Sequence, residues 1–193
     1  MSKFAILCLT VFAGALFLMS TGRAQSSPRL NDLIVYGDGF AFGVKEPDGW
    51  HGDTDAVARK YQANVVFSPV GASNAADITI RVRVSKKIDE NTIEDLNYDM
   101  DGYKKEFPDA QFQDLNVEHA EYKTFTKLVF VPNRFFEYVA YLNPGPGRPY
   151  IFSVAMSTYK KPATDEELEA YESILKSLVW LAGPKSKVEP NPN

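Results

Sequence analysis

The apolar residues of this chain change their spacing from period two to period 3.6, back to two and again to 3.6, and that order constrains the fold most. Ile78, Ile80, Val82 and Val84 alternate with Thr79, Arg81, Arg83 and Ser85, so Asp77–Ser85 reads as a strand with one apolar and one polar face. Ile93, Leu96, Met100, Tyr103 and Phe107 then recur at three- and four-residue steps, which predicts a helix over Thr92–Phe107, ended by Pro108. Asn116–Tyr122, Thr126–Val131, Phe135–Leu142 and Tyr150–Ser157 follow, all rich in aromatic or β-branched residues and read as strands. A second helix starts at Thr164, with Leu168, Tyr171, Ile174, Leu175 and Leu178 as its buried stripe and Gly183-Pro184 as its end. Strands, helix, consecutive strands, helix is the order of an antiparallel sheet with helices packed on it, not of a βαβ doubly wound fold. The helices take one sheet face each or share one.

Shorter signals fill the rest of the body. Leu33–Tyr36 and Phe40–Lys45 are strands joined through the glycine-rich turn Gly37-Asp38-Gly39. Pro47-Asp48-Gly49-Trp50 turns the chain, Thr54–Tyr61 suits a short helix with Asp53 as its cap, and Asn64–Pro69 is a strand. Thr92 with Asp95 and Thr164 with Glu167 both have the spacing of a capping box.

The N-terminus reads as a secretory signal peptide. Lys3 gives a positive start, Phe4 to Met19 is an apolar run of 16 residues, and Gly22-Arg23-Ala24 fits a small-residue site with cleavage before Gln25. A spanning helix needs roughly 20 apolar residues. Cys8 leaves with residues 1–24, so the mature chain has no cysteine for disulfides, thiol chemistry or thiolate metal sites. Lys3 and Arg23 leave too, so 19 cations face 25 acids and the mature net charge is −6. An acidic domain is a poor partner for nucleic acid. The expected layout is a signal peptide at 1–24, a flexible lead-in at 25–31, one domain at 32–182 and a disordered tail at 183–193. Such a protein is secreted or periplasmic, and not an integral membrane protein after cleavage.

The pattern resembles the PsbP-type fold, named for an extrinsic subunit of photosystem II. The resemblance rests on Phe40-Ala41-Phe42-Gly43-Val44 leading into Pro47-Asp48-Gly49-Trp50, on the strand before the long helix, on Tyr138-Val139-Ala140-Tyr141, and on Ile174-Leu175-Lys176-Ser177-Leu178 in the last helix. It implies an α/β/α sandwich around a central antiparallel sheet, and a non-enzymatic role in binding or complex assembly. Known relatives of that type steady a photosynthetic membrane complex or bind a small GTPase in nuclear import. This sequence has neither a chloroplast-type transit peptide nor a twin-arginine signal, so neither role is carried over.

Candidate chemistry is sparse. His51 and His119 are the only histidines, and no G-x-S-x-G accompanies them; His119 reads as a hydrogen-bonded structural residue. Asp48, Asp53 and Asp55 cluster near Trp50 but fail the calcium-loop register, and capping explains them. Glu94, Asp95, Asp99 and Asp101, like Glu166, Glu167, Glu169 and Glu172, read as solvated helix faces. Phe135, Phe136, Tyr138 and Tyr141 read as core of a central strand. Arg81 and Arg83 share a polar strand face, where they meet an acidic partner or an anionic ligand, or pair with helix carboxylates if a helix covers that face. The reading that results is a non-catalytic exported domain that needs no metal or cofactor and binds a protein partner, with Trp50, Arg81 and Arg83 as partner-binding candidates. A small-molecule carrier with a pocket near the Pro47–Trp50 turn is the second reading, and an unrecognised hydrolase the third.

Overall fold

The computed structural model describes residues 32–72, 78–90 and 92–183. Ten strands and three helices follow in the order β1 (Asp32–Gly37), β2 (Phe40–Lys45), β3 (Trp50–Asp53), α1 (Ala56–Lys60), β4 (Val65–Pro69), β5 (Ile78–Lys86), α2 (Ile93–Glu106), β6 (Gln111–Leu115), β7 (Lys123–Val131), β8 (Phe135–Asn143), β9 (Tyr150–Tyr159), α3 (Asp165–Ser177) and β10 (Val179–Ala182). Residues 1–31, Asp77 and everything after Gly183 lie outside the described residues, and with them the signal peptide, the lead-in and the body of the tail. No helix among the described residues is long and apolar enough to cross a membrane.

Seven strands form one antiparallel sheet in the order β3-β4-β5-β9-β8-β7-β6. A smaller sheet, β1-β2-β10, is separate and also antiparallel. Strand alternation sorts the large sheet into two faces. Ile80, Val82, Tyr138, Ala140, Leu142, Phe152, Val154 and Met156 point to one side and bury against Tyr171, Ile174 and Leu175 of α3 and against Val35, Phe42, Val44 and Trp180 of the small sheet. Val129, Val131, Val139, Tyr141 and Ile151 point to the other and meet Leu96 and Met100 of α2. The helices therefore take one face each, and the architecture is an α/β/α sandwich whose third layer is shared by α3 and a small sheet.

Turn and cap chemistry largely follows the sequence. The β1–β2 hairpin pairs Gly37 with Phe40, leaving a two-residue loop whose Gly39 has φ +75°. Gly49 has φ +77° in the Pro47–Trp50 turn, closed by Trp50 N–H donating to the Pro47 carbonyl at 3.1 Å. At α3 the reciprocal box forms: Glu167 N–H donates to Thr164 Oγ1 and Thr164 N–H to Glu167 Oε2.

Four readings need correction. Asn116–Tyr122 is irregular and the strand is Gln111–Leu115; a sheet-edge strand shows little apolar signal, while residues 119–122 are held by the ring of His119. The last helix stops at Ser177, because Leu178 is extended (φ −60°, ψ 126°) and Val179–Ala182 pairs with β2 as a strand. Trp50–Asp53 is an edge strand beyond its turn. The Thr92–Asp95 capping box does not form: Thr92 has φ 46° and makes no side-chain cap, and Asp95 Oδ1 accepts instead from Ile88 N–H at 3.0 Å.

Candidate functional site

The polar face of β5 lies under α2, and there the sheet is left incompletely filled. Its floor on β9 is Ser153 and Ala155, whose short side chains cannot reach the helix. The resulting cleft has α2 as one wall and the Tyr61–Ala63 turn after α1 as the other. An inner chamber of about 220 Å³ is lined by Arg81, Arg83, Asp99, Tyr103, Glu137 and Tyr141 over Ser153 and Ala155. An outer one of about 190 Å³ shares Arg83, Asp99, Tyr141 and Ser153 and adds Ser85, Lys86, Ile88, Asp95 and Tyr98.

Glu137 anchors the inner end. It is 7% exposed, and burial of a carboxylate requires compensation. Arg81 ion-pairs with Oε1, Ser157 Oγ donates to the same oxygen at 2.8 Å, and Tyr103 donates to Oε2. Burial, reinforced by that carboxylate, pushes the Tyr103 hydroxyl well above its ordinary value. Tyr141 donates to Asp99 Oδ2 and is raised by burial and by Asp99. Both hydroxyls are held protonated, as donors.

The two strand arginines have different partners. Arg81 is matched by Glu137 of β8, although its Nε is buried and finds no acceptor among the described residues. Arg83 donates from Nε to the Gln62 carbonyl at 2.8 Å and from Nη2 to the Tyr61 carbonyl at 3.3 Å. Those carbonyls orient the guanidinium without neutralising it. Among the described residues neither arginine ion-pairs with a helix carboxylate, because their partners come from β8 and from the turn after α1.

Trp50 lies elsewhere. It is 7% exposed, within the core on the α3 side of the sheet, away from the cleft. Phe135 and Phe136 are half-buried and Tyr138 and Tyr141 buried, as a central strand demands. Of the acidic residues on α2, Asp95 is the exception: it is 6% exposed rather than solvated, and burial together with nearby Asp99 raises its carboxyl. Ile88 and Tyr98, by contrast, are 60% and 70% exposed beside the outer chamber. Sequence reasoning passed over Glu137, Tyr103 and Asp99 as site residues; a glutamate inside the aromatic run Phe135–Tyr141 was the available signal.

His119 is structural in its contacts. Nε2–H donates to the Leu178 carbonyl at 3.0 Å, Nδ1 accepts from Glu121 and Tyr122 N–H, and the ring stacks on Tyr122 at 4.3 Å. Burial lowers its pKa, against the opposing pull of the Leu178 carbonyl and Glu121. His51 is exposed, 3.7 Å from Glu46. Asp53 Oδ1 accepts from Asp55, Val57 and Ala58 N–H, capping α1. Burial alone would raise that carboxyl; the three N–H donors and His51 outweigh it and hold it low. Asp55 pairs with Arg59.

No family model matches the chain, and no curated protein does. Among solved structures it is similar to cyanobacterial PsbP (CyanoP) from Synechocystis sp. PCC 6803, at 19% identity and TM-score 0.48, over 83% of this chain and 100% of that one. It is also similar to LpqN of Mycobacterium tuberculosis, a protein involved in cell envelope biogenesis, at 14% identity and TM-score 0.49, over 79% and 91% of the two chains. PsbP is also the type that the sequence pattern resembles. At such low identity the likeness is one of fold alone, and function has to be argued from the chemistry of the cleft.

Proposed function

We propose that this is an exported, non-catalytic domain that binds a protein partner at the outer rim of the α2 cleft and so supports assembly of an envelope complex. The observation that carries the reading is the rim itself. Ile88 and Tyr98 are largely exposed side by side, next to the cations Lys86 and Arg83. Exposed aromatic and aliphatic groups beside an oriented arginine are the composition of an interface core. Arg83 and Lys86 stand there beside Asp95 and Asp99, so the rim offers charges of both signs around an apolar centre. Export is supported by residues 1–24, and N-terminal sequencing of the exported protein should begin at Gln25.

Each cleft chamber is smaller than the roughly 300–1,000 Å³ of drug-sized pockets, while a groove of about 650 Å³ continues along α2 over Tyr98, Asp99, Tyr103 and Lys105 and extends the surface open to a partner. The non-catalytic reading is supported by Glu137, whose two oxygens are both engaged, and by tyrosines raised away from ionisation.

Side-by-side capture from the native envelope extract tests the reading, using the wild type and the double variant Tyr98→Ser, Ile88→Ser. Both side chains are exposed, so the variant should melt like the wild type. A protein retained by the wild type, released by salt and lost with the variant is the expected result. Equal retention by both would place the interface elsewhere.

A further inference from the structure

The inner chamber holds charges that a contact at the rim alone does not answer. Arg81 and Glu137 neutralise each other. That leaves Arg83 on the strand side and Asp99 on the helix side as the two charges of the chamber without an ion-pair partner among the described residues. They line the same cavity and form no ion pair with each other. Asp99 accepts from Tyr141 through Oδ2, and no described residue occupies Oδ1. Arg83 and Asp99 are both exposed residues, so their charged ends are open to a ligand that enters the chamber. The short floor residues Ser153 and Ala155 leave the space open beneath both walls.

We propose that this inner chamber binds a small zwitterion of the size of a free α-amino acid. Its carboxylate meets Arg83, and its ammonium group meets Asp99. Each part of the molecule answers one unmet group. A carboxylate alone leaves Asp99 facing it, and a primary amine alone leaves Arg83 uncompensated. Inorganic phosphate brings two negative charges beside Asp99 and Glu137, which repel it. The site shares Arg83 and Asp99 with the outer chamber, but it concerns a small ligand and needs no partner protein.

The test is thermal melting and titration calorimetry of the purified protein with glycine, alanine and glutamate. Acetate, methylammonium and inorganic phosphate serve as single-ended controls. A ligand bound only by the folded state raises Tm saturably with its concentration. The expected result is a saturable rise with at least one amino acid, with acetate and methylammonium roughly tenfold weaker or worse. Arg83→Gln and Asp99→Asn, both at exposed residues, should each abolish the rise. If Asp99→Asn disturbs Tyr141 and loses folded protein, Arg83→Gln still decides the matter. Acetate or phosphate binding as well as the amino acids would overturn the zwitterion site, as would no saturable response to any amino acid or an undiminished response in Arg83→Gln. Capture of a partner at the rim is read with the Tyr98→Ser, Ile88→Ser variant, because those two residues line the outer chamber and not the inner one.

Discussion

Asp95 and His119 show how single ionisable groups are held inside this fold, and each makes an expectation. Asp95 uses one oxygen to accept from Ile88 N–H, while Oδ2 is buried without a partner among the described residues. Its charge is therefore tolerated rather than needed. Asp95→Asn keeps an acceptor oxygen and removes the buried charge, so its denaturation midpoint at neutral pH should equal or exceed the wild type. Asp95→Ala strands the Ile88 amide and should cost about 1–3 kcal/mol. His119 has the opposite logic. Its folded pKa lies below the ordinary 6.5, so the unfolded chain takes up the proton first as pH falls. The stability it contributes is present above pH 6.5 and is lost as pH falls from there towards the folded value. Chemical denaturation from about pH 8 to about pH 5 should show that decline, and His119→Gln should flatten it. An unchanged slope in the variant would assign the decline to other groups.

At the scale of elements, β5 was the most legible part of the sequence and the most consequential. Strict alternation placed Ile80 and Val82 on the core face, and both are fully buried. Val82→Asp should therefore leave an unpaired charge between two strands and cost about 4 kcal/mol or more, read as loss of the cooperative melt. The same alternation placed Arg81 and Arg83 together on the other face, but their partners came from β8 and from the turn after α1, and no spacing in the sequence connects those segments. The missed strands share a cause. Gln111–Leu115 has two apolar residues in five because an edge strand buries little, and Val179–Ala182 follows a helix without a glycine between them. A run of apolar residues after a helical stripe is read as more helix unless something breaks it. Here the break is Trp180, which turns into the core against Phe152 and Tyr150. The cleft was half legible: its cations stood out, whereas Glu137 and Asp99 looked like ordinary strand and helix surface.

For the molecule as a whole, the small sheet closes one side of the core, and Trp180 is its keystone. The ring sits among Phe40, Tyr150 and Phe152, its backbone N–H donates to Tyr122 Oη at 2.9 Å, and Arg148 lies over its face. Trp180→Ala should cost about 3–5 kcal/mol, measured as a shift of the denaturation midpoint with an unchanged slope. A midpoint within error of the wild type would show that β10 is only draped on the fold.

The register of β10 against β2 sets an order in time. Phe42 and Trp180 are partners across that ladder, one near the start of the domain and one at its very end. The hairpin that leaves the ribosome first thus waits for the last residues before its outer flank is occupied. A nascent chain stopped short of Val179 has β2 with a bare side and the aromatic cluster without its central ring. For a chain proposed to be exported this timing is useful: the segment that must thread a translocation channel lacks its full set of strand partners until β10 has been made.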